Sequence, residues 1–238
     1  MTEGIKSNQR VKDFGEVYTP QDIVSDMVDL VTDKAEMEID STFLEPACGN
    51  GQFLIEILYR KLEEVKKLPV EERQIGMIMA LCSVYGVDIQ KDNVVESRNR
   101  MMQIIENKPT ESFTRSDKKH IYEPLNLGVE ITEGLRKVIE FILKNNIQWG
   151  DTLTNRHFVE KVKNTSKKKG GPRVNKNIGE SDTATDEEQL VAINYKFESE
   201  TVSMQKEIIN EDAVNMPNPV MSKAEPINYM SMHEANFV

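Results

Sequence analysis

The regular pattern of apolar and polar positions begins near residue 19. In the stretch GEVYTPQDIVSDMVDLV, Thr19 and Pro20 have the chemistry of a helix start, with a capping hydroxyl before a proline at the first helical position. Apolar residues then recur at spacings of three and four. This pattern predicts a helix with Ile23, Met27, Leu30 and Val31 on its buried face.

A strand, a glycine turn and a helix are predicted in the next stretch, which contains FLEPACGNGQFL. The short apolar run ends at Glu45, glycines stand at positions 49 and 51, and a helical pattern follows until Pro69. Its apolar positions are Phe53, Leu54, Ile57, Leu58 and Leu62.

Two further strands are predicted to end in a carboxylate. SVYGVDI ends near Asp88 and precedes the helical pattern KDNVVESRNRMMQII, whereas IQWGD ends at Asp151 and follows the helical pattern EGLRKVIEFILKNN. Another helix is predicted from Glu71 to about Cys82, and the polar stretch from Lys108 to Gly128 is predicted to be a connection. Strands that alternate with helices predict an α/β fold, with a mostly parallel sheet and helices on both faces.

The C-terminal part has a different character. LVAINYKF has strand periodicity, and TVSMQKEI is predicted to return as its hairpin partner after the polar residues ESE. From Asn210 the chain is rich in Met, Pro and Asn without a period, which predicts a tail that is extended or docks on the domain. The apolar face of the first strand carries Val191, Ile193, Tyr195 and Phe197.

These patterns predict three regions in a chain of 238 residues. Residues 1–155 form the α/β domain, residues 156–188 a basic flexible loop, and residues 189–238 a hairpin and tail that complete or decorate the domain. The length suits one sizeable domain with an appendage.

The charge changes the expectation about nucleic acids. The net charge is −10, whereas phosphate neutralisation by Lys and Arg supplies most non-specific DNA affinity. Any DNA contact is therefore expected to be local or to come from a partner. The dense basic stretch Val159 to Asn177 has the composition of a solvated loop.

Composition also bears on compartment and metals. The start has no secretory signal pattern and no apolar run approaches the roughly 20 residues that span a bilayer, so a cytoplasmic protein without membrane contact is expected. Cys48 and Cys82 lack a paired spacing, and the three histidines are scattered, so neither a disulfide nor a metal site is predicted.

The glycine turn has the chemistry of a ligand site. Glycines at 49 and 51 let the backbone turn sharply and approach a ligand, and the helix that follows offers free N–H groups. The dinucleotide fingerprint needs a third glycine at position 54, where Leu54 stands, so a nicotinamide or flavin site is disfavoured.

Four stretches in order resemble the amino-methylating DNA methyltransferases. EPACGNG resembles their S-adenosylmethionine motif, GEVYTP their aromatic-Thr-Pro motif, and YGVDI and WGDTL the two strand motifs that follow. The resemblance implies a Rossmann-like class I methyltransferase fold with S-adenosyl-L-methionine as cofactor. The cofactor-binding residues that it implies are Tyr18, Thr19, Pro20, Glu45, Pro46, Ala47, Cys48, Gly49, Gly51, Phe53, Asp88, Ile89, Asp151 and Leu153.

The resemblance also implies individual roles. Tyr18, Thr19 and Pro20 pack beside the methionine part of the cofactor, Asp88 accepts hydrogen bonds from the ribose hydroxyls, and Asp151 accepts from the adenine amino group. Carboxylates are pure acceptors, and the ends of adjacent parallel strands meet at one crevice. The cationic sulfonium and ammonium groups also favour a crevice that contains Glu45.

The family's catalytic motif, Asn- or Asp-Pro-Pro-aromatic, is not found in the sequence, so no catalytic residue is assigned. Asn215 with Pro217 and Asn218 with Pro219 are poor substitutes, for which a loop is the favoured interpretation. A segment for reading DNA sequence is not recognised either.

Three functions therefore stay open. The first is adenine-N6 DNA methylation, by the chain itself or as a subunit of a restriction-modification methylase that contacts DNA through a partner. The second is a catalytically silent cofactor-binding module that regulates or scaffolds a partner. The third is methylation of another acceptor, because the cofactor half does not identify it. Oligomerisation with itself or with other subunits is left open.

Overall fold

The protein is described from a computed structural model, which covers residues 4–32, 37–114, 119–158, 188–208 and 220–237. The helices are α1 Asn8–Phe14, α2 Gln21–Val31, α3 Gln52–Lys67, α4 Arg73–Cys82, α5 Lys91–Ile105 and α6 Glu133–Asn146. The strands are β1 Phe43–Glu45, β2 Val84–Asp88, β3 Thr110–Phe113, β4 Lys119–Tyr122, β5 Ile147–Asp151, β6 Arg156–His157, β7 Glu188–Gln189, β8 Val191–Glu198, β9 Thr201–Ile208 and β10 Val220–Asn228. Short 3₁₀ helices span Val70–Glu72 and Tyr229–Glu234.

The main sheet has the strand order β1-β2-β5-β6-β7. The strands β1, β2 and β5 are parallel, and each is connected to the next through helices, whereas β6 and β7 add antiparallel at the β5 edge. Every residue of β2 is buried, as expected for a central parallel strand with both faces covered. The α/β prediction is confirmed, and the parallel strands are the three that the sequence predicted.

Helix α3 lies at the centre of the main core. It contacts α2, α4 and α5, and its fully buried side chains include Leu54, Leu58 and Leu62. The predicted residues of this helix are buried except Phe53, which is half-buried against the core. The helix ends at Lys67, two residues before Pro69, as predicted.

The predicted buried face of α2 is wrong. The buried residues are Gln21, Val24 and Val28, whereas Met27, Leu30 and Val31 are exposed and Ile23 is half-buried. The physical reason is a polar contact with α3, in which the Gln21 side chain donates to Glu56 Oε2 at 3.2 Å. Arg60 of α3 also donates to the Ser25 hydroxyl at 2.8 Å and to Asp29 Oδ1 at 2.5 Å.

The stretch predicted as a polar connection, Lys108 to Gly128, contains the antiparallel pair of β3 and β4. Its register pairs Thr110 with Tyr122, and Tyr122 is buried with its hydroxyl donating to Glu56 Oε2 at 2.8 Å. The pair is short and polar, so its periodicity was too weak to predict strands.

The C-terminal strands form a separate antiparallel sheet with the order β10-β9-β8. The β8–β9 hairpin is confirmed. The predicted tail is extended over Val220–Asn228 and its 3₁₀ helix docks on α6, as expected, but its pairing with β9 as strand β10 was not predicted. The sheet docks on the main unit through tyrosine hydroxyls, since Tyr85 donates to Ile193 O at 2.6 Å and Tyr195 to Asn146 Oδ1 at 3.0 Å. None of the helices in the described ranges has the length and apolar content needed to cross a bilayer.

Candidate functional site

Three loops meet at the carboxyl ends of β1, β2 and β5. The Cys48 amide, in the turn after β1, donates to Val87 O of β2 at 2.8 Å. The Trp149 indole N–H of β5 donates to Ile89 O at 3.0 Å, and the Thr152 hydroxyl donates to Pro46 O at 3.1 Å. These bonds join the three loops into one crevice at the edge where open α/β sheets bind ligands.

The glycine turn has the left-handed backbone that its sequence predicted. Gly49 has φ 52° and Gly51 has φ 87°, a region that side chains rarely adopt. A Cβ at Gly49 would lie 3.3 Å from the Tyr18 ring, and one at Gly51 would lie 2.9 Å from the Ser97 hydroxyl. Both glycines are therefore required by conformation and by close packing.

Helix α5 supports this turn with a polar face. The Ser97 hydroxyl donates to Gly49 O at 2.9 Å, and the Arg100 guanidinium donates to Asn50 O at 2.8 Å and to Gln52 Oε1 at 3.1 Å. Sequence reasoning missed these residues. The available signal was a polar series, Asn93, Ser97 and Arg100, at helical spacing on the face that also buries Val94, Met101 and Ile104.

Asp88 holds the end of β2 against the glycine turn. Its Oδ2 accepts from the Gly49 amide at 2.8 Å, and its Oδ1 accepts from the Gln90 amide at 2.7 Å and from Asn93 Nδ2 at 3.2 Å. The side chain is buried, and this burial raises the pKa of Asp88 above its usual value, while the three donors oppose the rise.

The other two predicted carboxylates, Glu45 and Asp151, accept hydrogen bonds from residues close to them in the sequence. Glu45 Oε1 accepts from the Ala47 amide at 3.1 Å, and burial raises the pKa of Glu45 above its usual value. Asp151 accepts from the Leu153 amide at 3.0 Å and from the Thr154 hydroxyl at 2.7 Å, so it caps the turn that follows β5.

The predicted aromatic-Thr-Pro motif lies beside the turn. The Tyr18 hydroxyl is 2.6 Å from Glu16 Oε1 and 2.9 Å from Asn93 Oδ1. Tyr18 therefore contacts Asn93, the side chain that donates to Asp88. Thr19 is half-buried, and Pro20 has extended backbone and is the residue before the first turn of α2.

The outer rim of the crevice is open and partly apolar. Ile89 is 47% exposed and Leu153 is 88% exposed, and Pro46 and Ala47 are exposed beside them. The half-buried Trp149 lies under the Lys91 ammonium, which is 5.5 Å from the ring centroid. A flat apolar ligand group would find contact surface here.

Several sequence predictions lie outside the described residues. These are the basic stretch Val159 to Asn177 and the pairs Asn215 with Pro217 and Asn218 with Pro219. Within the described ranges, no group of three or more His, Cys, Asp or Glu side chains could hold a metal ion.

Comparisons with known proteins identify the N-terminal half. The family model described as N-6 DNA Methylase matches residues 5–127. The Type II methyltransferase M.VspI of Vibrio sp. (strain 343) is 32% identical over 91 residues, which are 38% of this chain and 17% of that protein. The chain therefore spans less than a fifth of the length of this curated relative, and no solved structure matches the chain. Because the family model covers just over half of the sequence, including the glycine turn and Asp88, this chain belongs to the N-6 DNA methylase family.

Proposed function

We propose that this chain binds S-adenosylmethionine in the crevice after β1, β2 and β5, within a Rossmann-like methyltransferase fold. Members of its family use this cofactor. The observation that carries the proposal is the junction of Asp88 with the glycine turn, where the Gly49 amide donates to the Asp88 carboxylate between neighbouring parallel strands. The carboxylate side chains at the ends of β1 and β5, Glu45 and Asp151, add further hydrogen-bond acceptors to the same crevice.

The residues present suit the chemistry of this cofactor. Its ribose hydroxyls, adenine amino group and ammonium group are donors, and the crevice presents acceptors. Asp88 Oδ2 accepts one hydrogen bond within the described residues, and the buried Asn50 Oδ1 accepts none there. Exposed Ile89 and Leu153 suit the faces of an adenine ring.

The assignment of cofactor residues follows the family motifs. Asp88 is proposed to accept from the ribose hydroxyls and Asp151 from the adenine amino group, and the Glu45 carboxylate is proposed to favour the cationic groups of the cofactor. The full proposed set is Tyr18, Thr19, Pro20, Glu45, Pro46, Ala47, Cys48, Gly49, Gly51, Phe53, Asp88, Ile89, Asp151 and Leu153. We assign this set to a domain of residues 1–155, followed by a basic loop over 156–188 and a C-terminal unit over 189–238.

The proposed reaction is methylation of the N6 amine of adenine in DNA, by this chain or by an assembly that contains it. When bound, S-adenosylmethionine supplies a methyl group on a sulfonium, which an amine attacks directly. The side chains of this chain bind and orient the cofactor. The hydrogen bonds from α5 keep the glycine turn in its left-handed conformation. The N-6 DNA Methylase family gives this substrate class, and the Vibrio relative, a Type II methyltransferase, agrees with methyl transfer as the reaction.

A cofactor-binding module without catalysis is the second candidate. Two observations favour it: the sequence has no Asn-Pro-Pro-aromatic motif, and its net charge of −10 opposes binding of DNA phosphate. In this case the chain would regulate or scaffold a partner that supplies the acceptor site.

One assay tests whether the chain methylates DNA by itself. The purified chain is incubated with methyl-labelled S-adenosylmethionine and unmethylated duplex DNA, and the nucleosides are analysed. Label in N6-methyladenine supports an enzyme that acts alone, whereas cofactor binding without label means that the chain either needs a partner subunit or is the module.

Cofactor binding itself is measured by titration calorimetry. Asp88→Asn keeps the size of the side chain but loses the charge, and it should weaken binding at least about tenfold, since hydrogen bonds to charged groups are worth about 1.5–3 kcal/mol. The matched control is Asp40→Asn. Asp40 precedes β1 and lies at the amino ends of the parallel strands, away from the crevice at their carboxyl ends. Equal affinity in both variants and the wild type would contradict the proposed site.

A further inference from the structure

The N-terminal segment, residues 4–18, is tied to the start of α5 by ion pairs. Lys6 Nζ lies 2.9 Å from Asp92 Oδ2 and 2.8 Å from Glu96 Oε2, and Arg10 Nη1 lies 2.6 Å from Asp92 Oδ2. Pairs of such partly exposed groups contribute little stability by themselves. What distinguishes this cluster is the buried side chain at its inner end, Asn93.

Asn93 links the N-terminal segment to Asp88. It is 1% exposed, its Oδ1 accepts from Lys6 Nζ at 2.7 Å, and its Nδ2 donates to Asp88 Oδ1 at 3.2 Å. The reversed amide would turn Nδ2 toward the Lys6 ammonium and Oδ1 toward the Asp88 carboxylate. Both contacts would then be repulsive, so the cation on one side and the anion on the other determine the orientation of the amide.

Lys6 is the principal donor to the Asn93 oxygen. The Tyr18 hydroxyl has one proton and lies between two acceptors, at 2.6 Å from Glu16 Oε1 and 2.9 Å from Asn93 Oδ1. The hydroxyl therefore donates mainly to Glu16, the nearer and charged acceptor, and only weakly to Asn93. Arg10 Nη2 lies at 3.5 Å, the outer limit for a hydrogen bond.

We propose that Asn93 is a positioning residue through which Lys6 of the N-terminal segment holds the Asp88 carboxylate oriented for a ribose diol. This inference rests on the proposed cofactor site and adds a control of that site by a segment that precedes the glycine turn. Asn93 orients the Asp88 carboxylate, and the Asp88 carboxylate accepts hydrogen bonds from the ligand.

The consequence is a defined pH dependence. Burial raises the pKa of Asp88, and the donor from Asn93 opposes this rise, so loss of that donor leaves the pKa higher still. The charged and titratable groups around Asp88 come from three elements. They are Lys6, Arg10, Glu16 and Tyr18 of the N-terminal segment, Asp92 and Glu96 of α5, and Glu45 and Cys48 at the end of β1 and in the turn that follows it.

The test uses Asn93→Leu, Lys6→Met and the matched control Lys12→Met in the full chain. Lys12→Met removes the same charge from an exposed position of the same segment. The first readout is the titration of the Asp88 carboxyl carbon by NMR in the ligand-free protein. The second is S-adenosylmethionine affinity by calorimetry from acidic to neutral pH.

Asn93→Leu and Lys6→Met are expected to titrate Asp88 at higher pH than the wild type, and to lose about tenfold in affinity on the acidic side. Lys12→Met is expected to match the wild type. If Asn93→Leu fails to fold, Lys6→Met decides, because its side chain is already 26% exposed.

Two results would overturn the inference. One is an unchanged Asp88 titration in the variants that fold. The other is an affinity loss of the same size at every pH, which is what a general structural defect would produce. A wild type that binds no S-adenosylmethionine, together with a displaced Asp88 titration in the variants, refutes the proposed function and supports the Asn93 to Asp88 coupling alone.

Discussion

Gly51 combines two separate reasons for glycine at one position. Its φ of 87° is unfavourable for a side chain, and a Cβ there would lie 3.2 Å from Ser97 Cα, which is backbone and has no rotamer to change. Gly15 isolates the first reason, since its φ is 65° and no atom lies within 4 Å of a Cβ placed there.

Gly51→Ala is therefore expected to destabilise the protein more than Gly15→Ala. The left-handed conformation costs about 1–2 kcal/mol in each variant, and the close approach to α5 adds a further cost in Gly51→Ala alone. Chemical denaturation of the two variants and the wild type measures this difference. Equal losses would show that α5 moves away from the turn at negligible cost.

Lys61 is a fully buried cation on α3. Its ammonium donates to Glu38 O at 2.9 Å, Ile39 O at 2.9 Å and Ser41 O at 2.7 Å, so it closes the turn that leads into β1. Burial lowers the pKa of Lys61 from 10.5 to about 8. The sequence interpretation did not include this residue, because a lysine in a helix is ordinarily exposed.

Lys61 is expected to make stability rise with pH above about 8. Between the folded pKa of about 8 and the unfolded value of 10.5, the unfolded state holds more of the lysine proton, so deprotonation favours folding. The free energy of unfolding of the wild type minus that of Lys61→Met should increase by up to about 1.4 kcal/mol per pH unit in this window.

The difference between the two proteins is the appropriate measure, because buried Cys48 and Cys82 contribute the opposite pH dependence in both. Denaturant unfolding at a series of pH values gives that difference, and Lys12→Met is the exposed control. A constant difference across the window would refute the role of Lys61.

At the scale of elements, the C-terminal sheet shares the apolar core of the main unit through Ile193, Val202 and Met204, and polar side-chain contacts join the two as well. Tyr85 of β2 donates to Ile193 O, and Tyr195 of β8 donates to Asn146 Oδ1 at the end of α6. Asn146 in turn donates to Cys82 O at 3.1 Å and Val84 O at 3.2 Å, which connects α4, β2 and α6 at one point.

Tyr85→Phe should loosen the C-terminal sheet more than the main sheet. It removes one hydrogen bond with a typical net value of about 1 kcal/mol and leaves the ring in place. Hydrogen exchange by mass spectrometry should become faster in β8 and β9 and stay unchanged in α3. Tyr59→Phe, which removes a hydrogen bond to Glu123 O at 3.2 Å on the main unit, is the matched control. Equal exchange in both variants would contradict this attachment.

The predicted elements differ in how locally they are determined. The helices α5 and α6 and the strand β5 have the bounds that their apolar patterns predicted, since strong periodicity and, for α6, the Thr132 cap act within the segment. The face of α2 was not predictable in this way. Both of its sides carry apolar residues, and the polar partners Glu56 and Arg60 on α3 decide which side is buried.

For the whole molecule, charge limits how DNA can bind. At a net charge of −10, the average surface repels phosphate, so contact requires a local concentration of cations. The sequence places such a concentration in the basic stretch Val159 to Asn177, which lies outside the described residues.

Replacing Lys167, Lys168 and Lys169 by Gln should weaken duplex binding and reduce its salt dependence. The slope of log affinity against log salt is expected to flatten by up to about 2.7, or about 0.9 for each phosphate that the variant no longer neutralises. Fluorescence anisotropy at several salt concentrations measures this slope. Gln replacements at the exposed Lys12, Lys66 and Lys137 remove the same charge, and equal effects of the two sets would mean that only net charge matters.

The sequence by itself determined the strand, glycine turn and helix around residue 49, the strand ends at Asp88 and Asp151, and the family. The structural features depend on backbone conformation, capping and periodicity within short segments, which leave a pattern in the sequence, and the family motifs lie in the same segments. The tertiary structure alone decided the buried face of α2, the pairing of β3 with β4, the addition of β10 to the predicted β8–β9 hairpin and the partners of Asp88. Those features depend on contacts between residues far apart in the chain, such as Lys6 with Asn93 and Tyr85 with Ile193, and no local pattern encodes them.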